Sequence, residues 1–255
     1  MIRAATGAAF ELARLKRIAP PTRAIVVASA IAAALLVAQG FGLLDPILKR
    51  WDDIAYLSVQ HMQLAAISGA LAIVTAIPLG VVLSRPSFRR AAEPVMQALN
   101  IGSTIPTLAI LALSMTFLGI GEKPAIFALW AMTLLPLVRN TYVGLLEVPK
   151  HLIEAATGMG MKPLEVLLRV EIPNALYVIF AGIRTAVTVN VGTVPLAFLI
   201  GGGGLGELIF TGIDLSEPGM MLAGAIPTAF LAVITDSVIA LVTRWVVPRG
   251  VLPES

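Results

Sequence analysis

The stretch Glu154-Ala155-Ala156-Thr157-Gly158-Met159-Gly160, continued by Val170-Glu171-Ile172-Pro173, is a charged, helix-forming island in an otherwise apolar chain. Hydrophobic residues make up 58% of the 255 and charged residues only 13%, and the mean hydropathy is +0.92. A soluble domain carries about 25% charged residues. A chain that withholds charge almost everywhere belongs in a membrane, and a segment where charge gathers belongs outside it. The island therefore reads as a handle by which a soluble partner grips the membrane part.

Apolar stretches flank the island on both sides. One runs over 24–44, behind a basic N-terminus that holds Arg3, Arg14, Lys16, Arg17 and Arg23. It is longer than the apolar core of a signal peptide and long enough to span a bilayer, which takes about 20 residues. Further spans fit at 58–83, at 95–118, and from near Pro124 to beyond Arg139. The last two run from Pro173 to Gly201 with Arg184 inside, and over 221–246 with Asp236 inside. The pattern predicts an all-α membrane protein of six transmembrane helices. Residues 1–57 form a tail, a first helix and an outer loop. Residues 58–248 form the core, with the island loop at 147–173, and 249–255 a short tail.

Basic residues sort by side. With the N-terminus in the cytoplasm, the outer side receives only Lys49, Arg50 and Lys123 of the 18 lysines and arginines. Inner loops carry such an excess, so both termini and the island are placed in the cytoplasm.

Within the island, Pro149 suits a helix start, and Gly158 and Gly160 suit a left-handed helix end. Pro163 opens a second short helix that carries Leu164, Leu167 and Leu168 on one face. Glu165 and Arg169 are spaced to pair, and Pro173 ends the unit. Glu147, Glu154, Glu165 and Glu171 stand against Lys150, Lys162 and Arg169. A helix lying on anionic lipid is rich in basic residues, so this near balance points to a protein groove.

Other functions find little support. The net charge of +3 is too small to suggest nucleic acid. The absence of cysteine excludes disulfides and thiolate chemistry. The histidines His61 and His151 fall on opposite membrane sides, which argues against a metal site or a Ser/His/Asp triad. His61 reads as an interfacial residue at the outer end of its helix. The run Gly201-Gly202-Gly203-Gly204-Leu205-Gly206 lacks the Lys-Ser or Lys-Thr of a phosphate loop and reads as a flexible hinge.

Glu154-Ala155-Ala156, three residues, Gly160, nine residues, then Val170-Glu171-Ile172-Pro173 resembles the cytoplasmic loop of ABC importer permeases. The family pattern ends in Ile-x-Leu-Pro, from which Val170 and Ile172 depart conservatively. Ser103-Thr104-Ile105-Pro106-Thr107-Leu108-Ala109, Leu135-Pro136-Leu137-Val138-Arg139-Asn140-Thr141-Tyr142, Ala181-Gly182-Ile183-Arg184-Thr185 and the glycine run are similar to the permeases for glycine betaine, choline and carnitine. The resemblance covers 58–248. It implies a type I importer permease core of five helices plus one N-terminal helix in a bacterial plasma (inner) membrane. It implies a cytoplasmic ATPase that holds ATP and Mg, a second permease subunit, identical or paralogous, and an external substrate-binding protein. This chain would then carry no cofactor and catalyse no reaction. Glu154, Ala155, Ala156, Gly158, Gly160 and Pro173 would form the ATPase-coupling element.

Asn100, Thr104, Asn140, Thr141, Tyr142 and Asn190 are polar residues in or near helices. Interhelical hydrogen bonds explain most such residues, and a minority line a substrate path. Arg184 and Asp236 lie about 15 Å from the cytoplasmic helix ends at 1.5 Å per residue. They are expected to pair, with Arg139 a competing partner for Asp236. The tryptophans and tyrosines do not cluster as a cation–π cage would need. An importer of an amino acid such as methionine stays within the same mechanism. A self-sufficient secondary transporter is the alternative from another class, but such proteins show inverted repeats and none is visible.

Overall fold

The computed structural model describes residues 45–248 and residue 250. The expected first span at 24–44 and the N-terminal basic cluster lie outside the described residues, as do residues 249 and 251–255. Helix α1 (Asp45–Lys49) belongs to one unit, residues 1–49. The second unit starts at Arg50 and holds every other described element.

In that second unit, α2 (Trp51–Leu83) leads through a 3-10 turn to α3 (Arg89–Thr104) and α4 (Thr107–Leu118). Then come α5 (Glu122–Leu146), the short helices α6 (Lys150–Gly158) and α7 (Pro163–Val166), and α8 (Ile172–Thr193). Helix α9 (Gly206–Asp214) and the long α10 (Pro218–Val246) complete it. Among the described residues, four helical stretches are long and apolar enough to cross a membrane: α2, α5, Pro163–Ile200 and α10.

The expected span at 95–118 is not one helix. Helices α3 and α4 meet at 99°, so the described spans number five only if this bent pair counts as one. Pro106 is the cause. Its ring disfavours helical backbone at the preceding residue, and Ile105 is extended, with φ −70° and ψ 126°. Helix α2 also starts earlier than expected, at Trp51 rather than 58.

Small residues let the helices approach. Ala72, Ala76, Ala125, Ala128 and Ala197 are fully buried. A Cβ on Gly80 would stand 2.6 Å from the Thr141 side chain, and one on Gly182 would stand 2.6 Å from Asn140 Cβ. Membrane helices gain little from hydrophobic exclusion and associate by such close packing. Helix α10 instead exposes Phe230, Val233, Val238, Leu241 and Trp245, the surface expected of a helix that faces acyl chains.

Two features near the glycine run add to the sequence reading. The run is a closely packed turn. Gly201, Gly203 and Gly204 take φ of 78°, 79° and 84°, and a Cβ on Gly206 would stand 2.0 Å from the Pro195 carbonyl oxygen. The Gly121 N–H donates to the Ile200 carbonyl at 2.8 Å, and the Gly204 N–H donates to Gln60 Oε1 at 3.3 Å. His61, read as an interfacial residue, is buried among the helices. It sits well inside α2, is 0% exposed, and its Nε2 donates to the Val191 carbonyl at 2.9 Å. The glycine turn closes over it, so a residue near the span's end is buried.

Candidate functional site

The island folds as two short helices at one end of the bundle. Pro149 is the N-cap of α6. The helix closes at Gly160, which has φ 85°. The Met161 N–H donates to the Ala156 carbonyl at 3.2 Å and the Gly160 N–H to the Thr157 carbonyl at 2.9 Å, which satisfies carbonyls that a helix end leaves orphaned. Gly158 is not left-handed; it remains within α6. Ala156 is buried, while Glu154, Ala155, Gly158, Met159 and Gly160 face outward.

The second half departs from expectation in three ways. Glu165 does not pair with Arg169. Its carboxylate accepts the Lys162 backbone N–H at 2.9 Å, capping α7, because a first-turn N–H needs an acceptor. Pro173 does not end the unit. The chain runs from α7 through a single π turn, Leu167–Glu171, straight into α8. Pro173 falls in the first turn of the new register, where a missing N–H is tolerated. Finally, the leucines divide. Leu164 and Leu168 are exposed, whereas Leu167 packs with Ile77, Val81 and Ile172 against Leu145, Val148, Ala175 and Ile179.

One contact lay beyond the sequence reading. Glu171 is buried and its carboxylate accepts a hydrogen bond from Arg85 Nη2. Arg85 also donates to Ser84 Oγ, from Nη2 at 2.9 Å. The two are 86 positions apart in the chain, so no local spacing could reveal the pair.

The polar residues expected along a path do not share one surface. Asn100 and Thr104 lie exposed on α3, where Thr104 Oγ1 donates to the Ile101 carbonyl at 2.7 Å. Thr141 is buried and donates to Leu137 at 2.8 Å. Tyr142 packs against the cluster of Ala72, Ala76 and Leu137. Asn190 is buried, and its Nδ2 donates to Ser68 Oγ at 2.8 Å and to the Ala65 carbonyl at 3.2 Å, which ties α8 to α2. Asn140 Nδ2 donates to the Pro136 carbonyl at 2.7 Å.

A seam forms instead where α5 meets α8, mostly apolar with a few polar side chains set into it. A cavity of about 70 Å³ there is lined by Thr133, Pro136, Thr185, Asn190 and Thr193 among others. A groove of about 460 Å³ follows along α5, lined by Leu135, Pro136, Arg139, Asn140 and Val143. On the α8 side Ala181, Arg184 and Thr185 are exposed. Arg184 reaches α10, with Nε donating to Asp236 Oδ1 at 2.6 Å and Nη2 to Oδ2 at 2.5 Å. Asp236 thus pairs with Arg184, and Arg139 stands exposed in the groove. A third cavity, about 590 Å³ and nearly all apolar, lies in the bend of α3 and α4, lined by Leu99, Ile110, Phe117, Phe127 and Leu135 among others.

A bundle of long apolar helices with a charged two-helix unit at one end fits a multi-pass membrane protein. The chain belongs to the family of binding-protein-dependent transport system inner membrane components, whose pattern matches residues 76–249. It is 48% identical to the osmoprotectant import permease protein OsmY of Salmonella typhimurium, over 83% of this chain and 89% of that one. It is 43% identical to the glycine betaine/carnitine/choline transport system permease protein OpuCB of Bacillus subtilis, over 78% of this chain and 90% of that one. A solved chain of the methionine ABC transporter MetNI, in an inward-facing conformation, shares its fold. The TM-score is 0.70 at 22% identity, over 76% of this chain and 96% of that one. The family expected from the island and the flanking motifs is the family found.

Proposed function

We propose that this chain is the membrane-spanning permease subunit of an ATP-driven importer, and that its cargo is an osmoprotectant such as glycine betaine, choline or carnitine. One observation carries the coupling role. The island is two short helices, closed at Gly160 and capped by Glu165, and presents Met159, Leu164 and Leu168 outward beside Glu154. Apolar side chains set among charges on a projecting unit suit a groove in a soluble protein. A cytoplasmic ATPase, which binds ATP and Mg, supplies that groove and the energy. The permease then responds because the nucleotide-bound partner contacts the island differently in two states.

The cargo follows from the relatives, which are named for osmoprotectant import, glycine betaine, carnitine and choline. An external binding protein captures it, and the seam of α5 and α8 provides the path, completed by a second permease subunit. Arg139, Asn140, Thr185 and the Arg184–Asp236 pair would line this path, since charged groups inside a span face water or protein rather than acyl chains. Both termini and the island lie in the cytoplasm on this reading.

Affinity purification from native membranes tests the assignment. The tagged chain should carry an ATPase with it, and Leu164→Asp/Leu168→Asp should release that ATPase while leaving the permease in the membrane. Retention of the ATPase by the double variant would contradict the docking assignment.

A further inference from the structure

The island is held to the bundle by two kinds of contact. Ile153, Leu167 and Ile172 pack with Ile77 and Val81 of α2 around Leu145, Val148, Ala175 and Ile179. Beside this cluster stands one ion pair, Arg85 with Glu171. Glu171 is the last residue of the π turn, and Arg85 follows the C-terminal end of α2, where its own N–H donates to the Val82 carbonyl at 3.1 Å. The Glu171 side chain is only 10% exposed and that of Arg85 28%. Among the described residues, this is the ion pair that joins the island to another part of the bundle.

The remaining island acids are placed differently. Glu147 and Glu154 face outward, and Glu165 caps α7. A carboxylate withdrawn from water needs a partner to remain charged, and only Glu171 is so placed. Toward its other end α2 is also fastened, about three turns in, by His61 to the Val191 carbonyl and by Gln60 to the Gly204 N–H. Helix α2 therefore connects the island at one membrane face with the glycine turn at the other.

We propose that Arg85 and Glu171 are a positioning pair which makes the island and α2 move as one body, so that a displacement of the island by the ATPase reaches the outer end of the bundle. The inference rests on the coupling role proposed above. Neither residue touches cargo. Removing one partner leaves the other's charge poorly solvated and frees the π turn to shift against α2.

The test uses the whole transporter, with its ATPase and binding protein, in proteoliposomes supplied with glycine betaine, choline and carnitine. ATP hydrolysis and uptake are measured together. Glu171→Gln and Arg85→Gln should keep hydrolysing ATP, while uptake per ATP falls roughly fivefold or more, the lower range of a site-to-site coupling. The exchanged pair, Arg85→Glu with Glu171→Arg, should regain uptake per ATP. Wild-type ratios in both single variants would overturn the proposal, as would an exchanged pair no better than either.

Should the single variants fail to assemble, spin labels still decide. The chain has no cysteine of its own, so Val82→Cys and Arg169→Cys place labels on α2 and the island. Their distance should be the same without nucleotide and with vanadate-trapped ATP. A distance that changes between the two states would overturn the proposal. Absence of ATP-driven uptake by the wild-type transporter would instead overturn the importer reading, a result distinguishable from either of these.

Discussion

Arg184 and Asp236 face each other through two parallel hydrogen bonds, 2.6 Å and 2.5 Å long, that fasten α8 to α10. Thr188 Oγ1 adds a longer contact to Asp236 Oδ1 at 3.4 Å. Planar guanidinium and carboxylate match edge to edge, and such bidentate pairs are stronger and more directional than single-point ones. The surrounding surface of α10 is mostly apolar, with Ser237 beside Asp236, so the pair stands out there by its charge.

Breaking this pair should therefore be worse than removing it. Arg184→Gln and Asp236→Asn each leave an unmatched charge inside the span, which is costly. Each should lower both the yield of monodisperse transporter and the uptake rate. The double variant Arg184→Gln/Asp236→Asn should recover yield above either single one. Size-exclusion profiles and uptake rates check this, and a double variant worse than both singles would contradict it.

Gly158 and Gly160 look alike in sequence but should behave oppositely. Gly160 has φ 85°, while Gly158 is helical with nothing within 4 Å of an added Cβ. Gly160→Ala places a side chain in the left-handed region at a cost of about 1–2 kcal/mol, and should misplace the turn and reduce ATP-coupled uptake. Gly158→Ala should be neutral or raise stability by about 0.4–1 kcal/mol. Thermal unfolding with parallel uptake assays distinguishes the two.

Rigidity of the glycine turn predicts another contrast. Gly206→Ala drives a methyl to 2.0 Å from the Pro195 carbonyl oxygen, backbone that cannot step aside. Overpacking of this kind costs about 1–3 kcal/mol or more, so the melting temperature should fall clearly. Gly192→Ala has nothing within 4 Å and should melt as the wild type does. A flexible hinge would tolerate both.

Much of the architecture was legible in the sequence because membrane spans announce themselves by length and missing charge. The capped end of α6 was legible at Gly160, where only the left-handed region serves. The Arg184–Asp236 contact was legible because two isolated charges at similar depth have few other partners. What escaped was set by tertiary packing. Pro106 splits a span, yet Pro78, Pro136 and Pro227 lie inside continuous helices, so proline alone does not mark a break. Glu171 reads as one more charge of the island until α2 brings Arg85 to it. The seam draws on both α5 and α8, and neither helix shows it alone. Thr141 and Asn190, read as path candidates, hydrogen-bond within the bundle, and Asn190 also lines the seam.

Uptake driven from outside the chain is the central claim, and reconstitution tests it most directly. Proteoliposomes containing this chain with its ATPase should accumulate radiolabelled glycine betaine, choline or carnitine only when binding protein outside and ATP inside are both present. Accumulation of any of these by the chain alone, without ATPase or binding protein, would contradict the account.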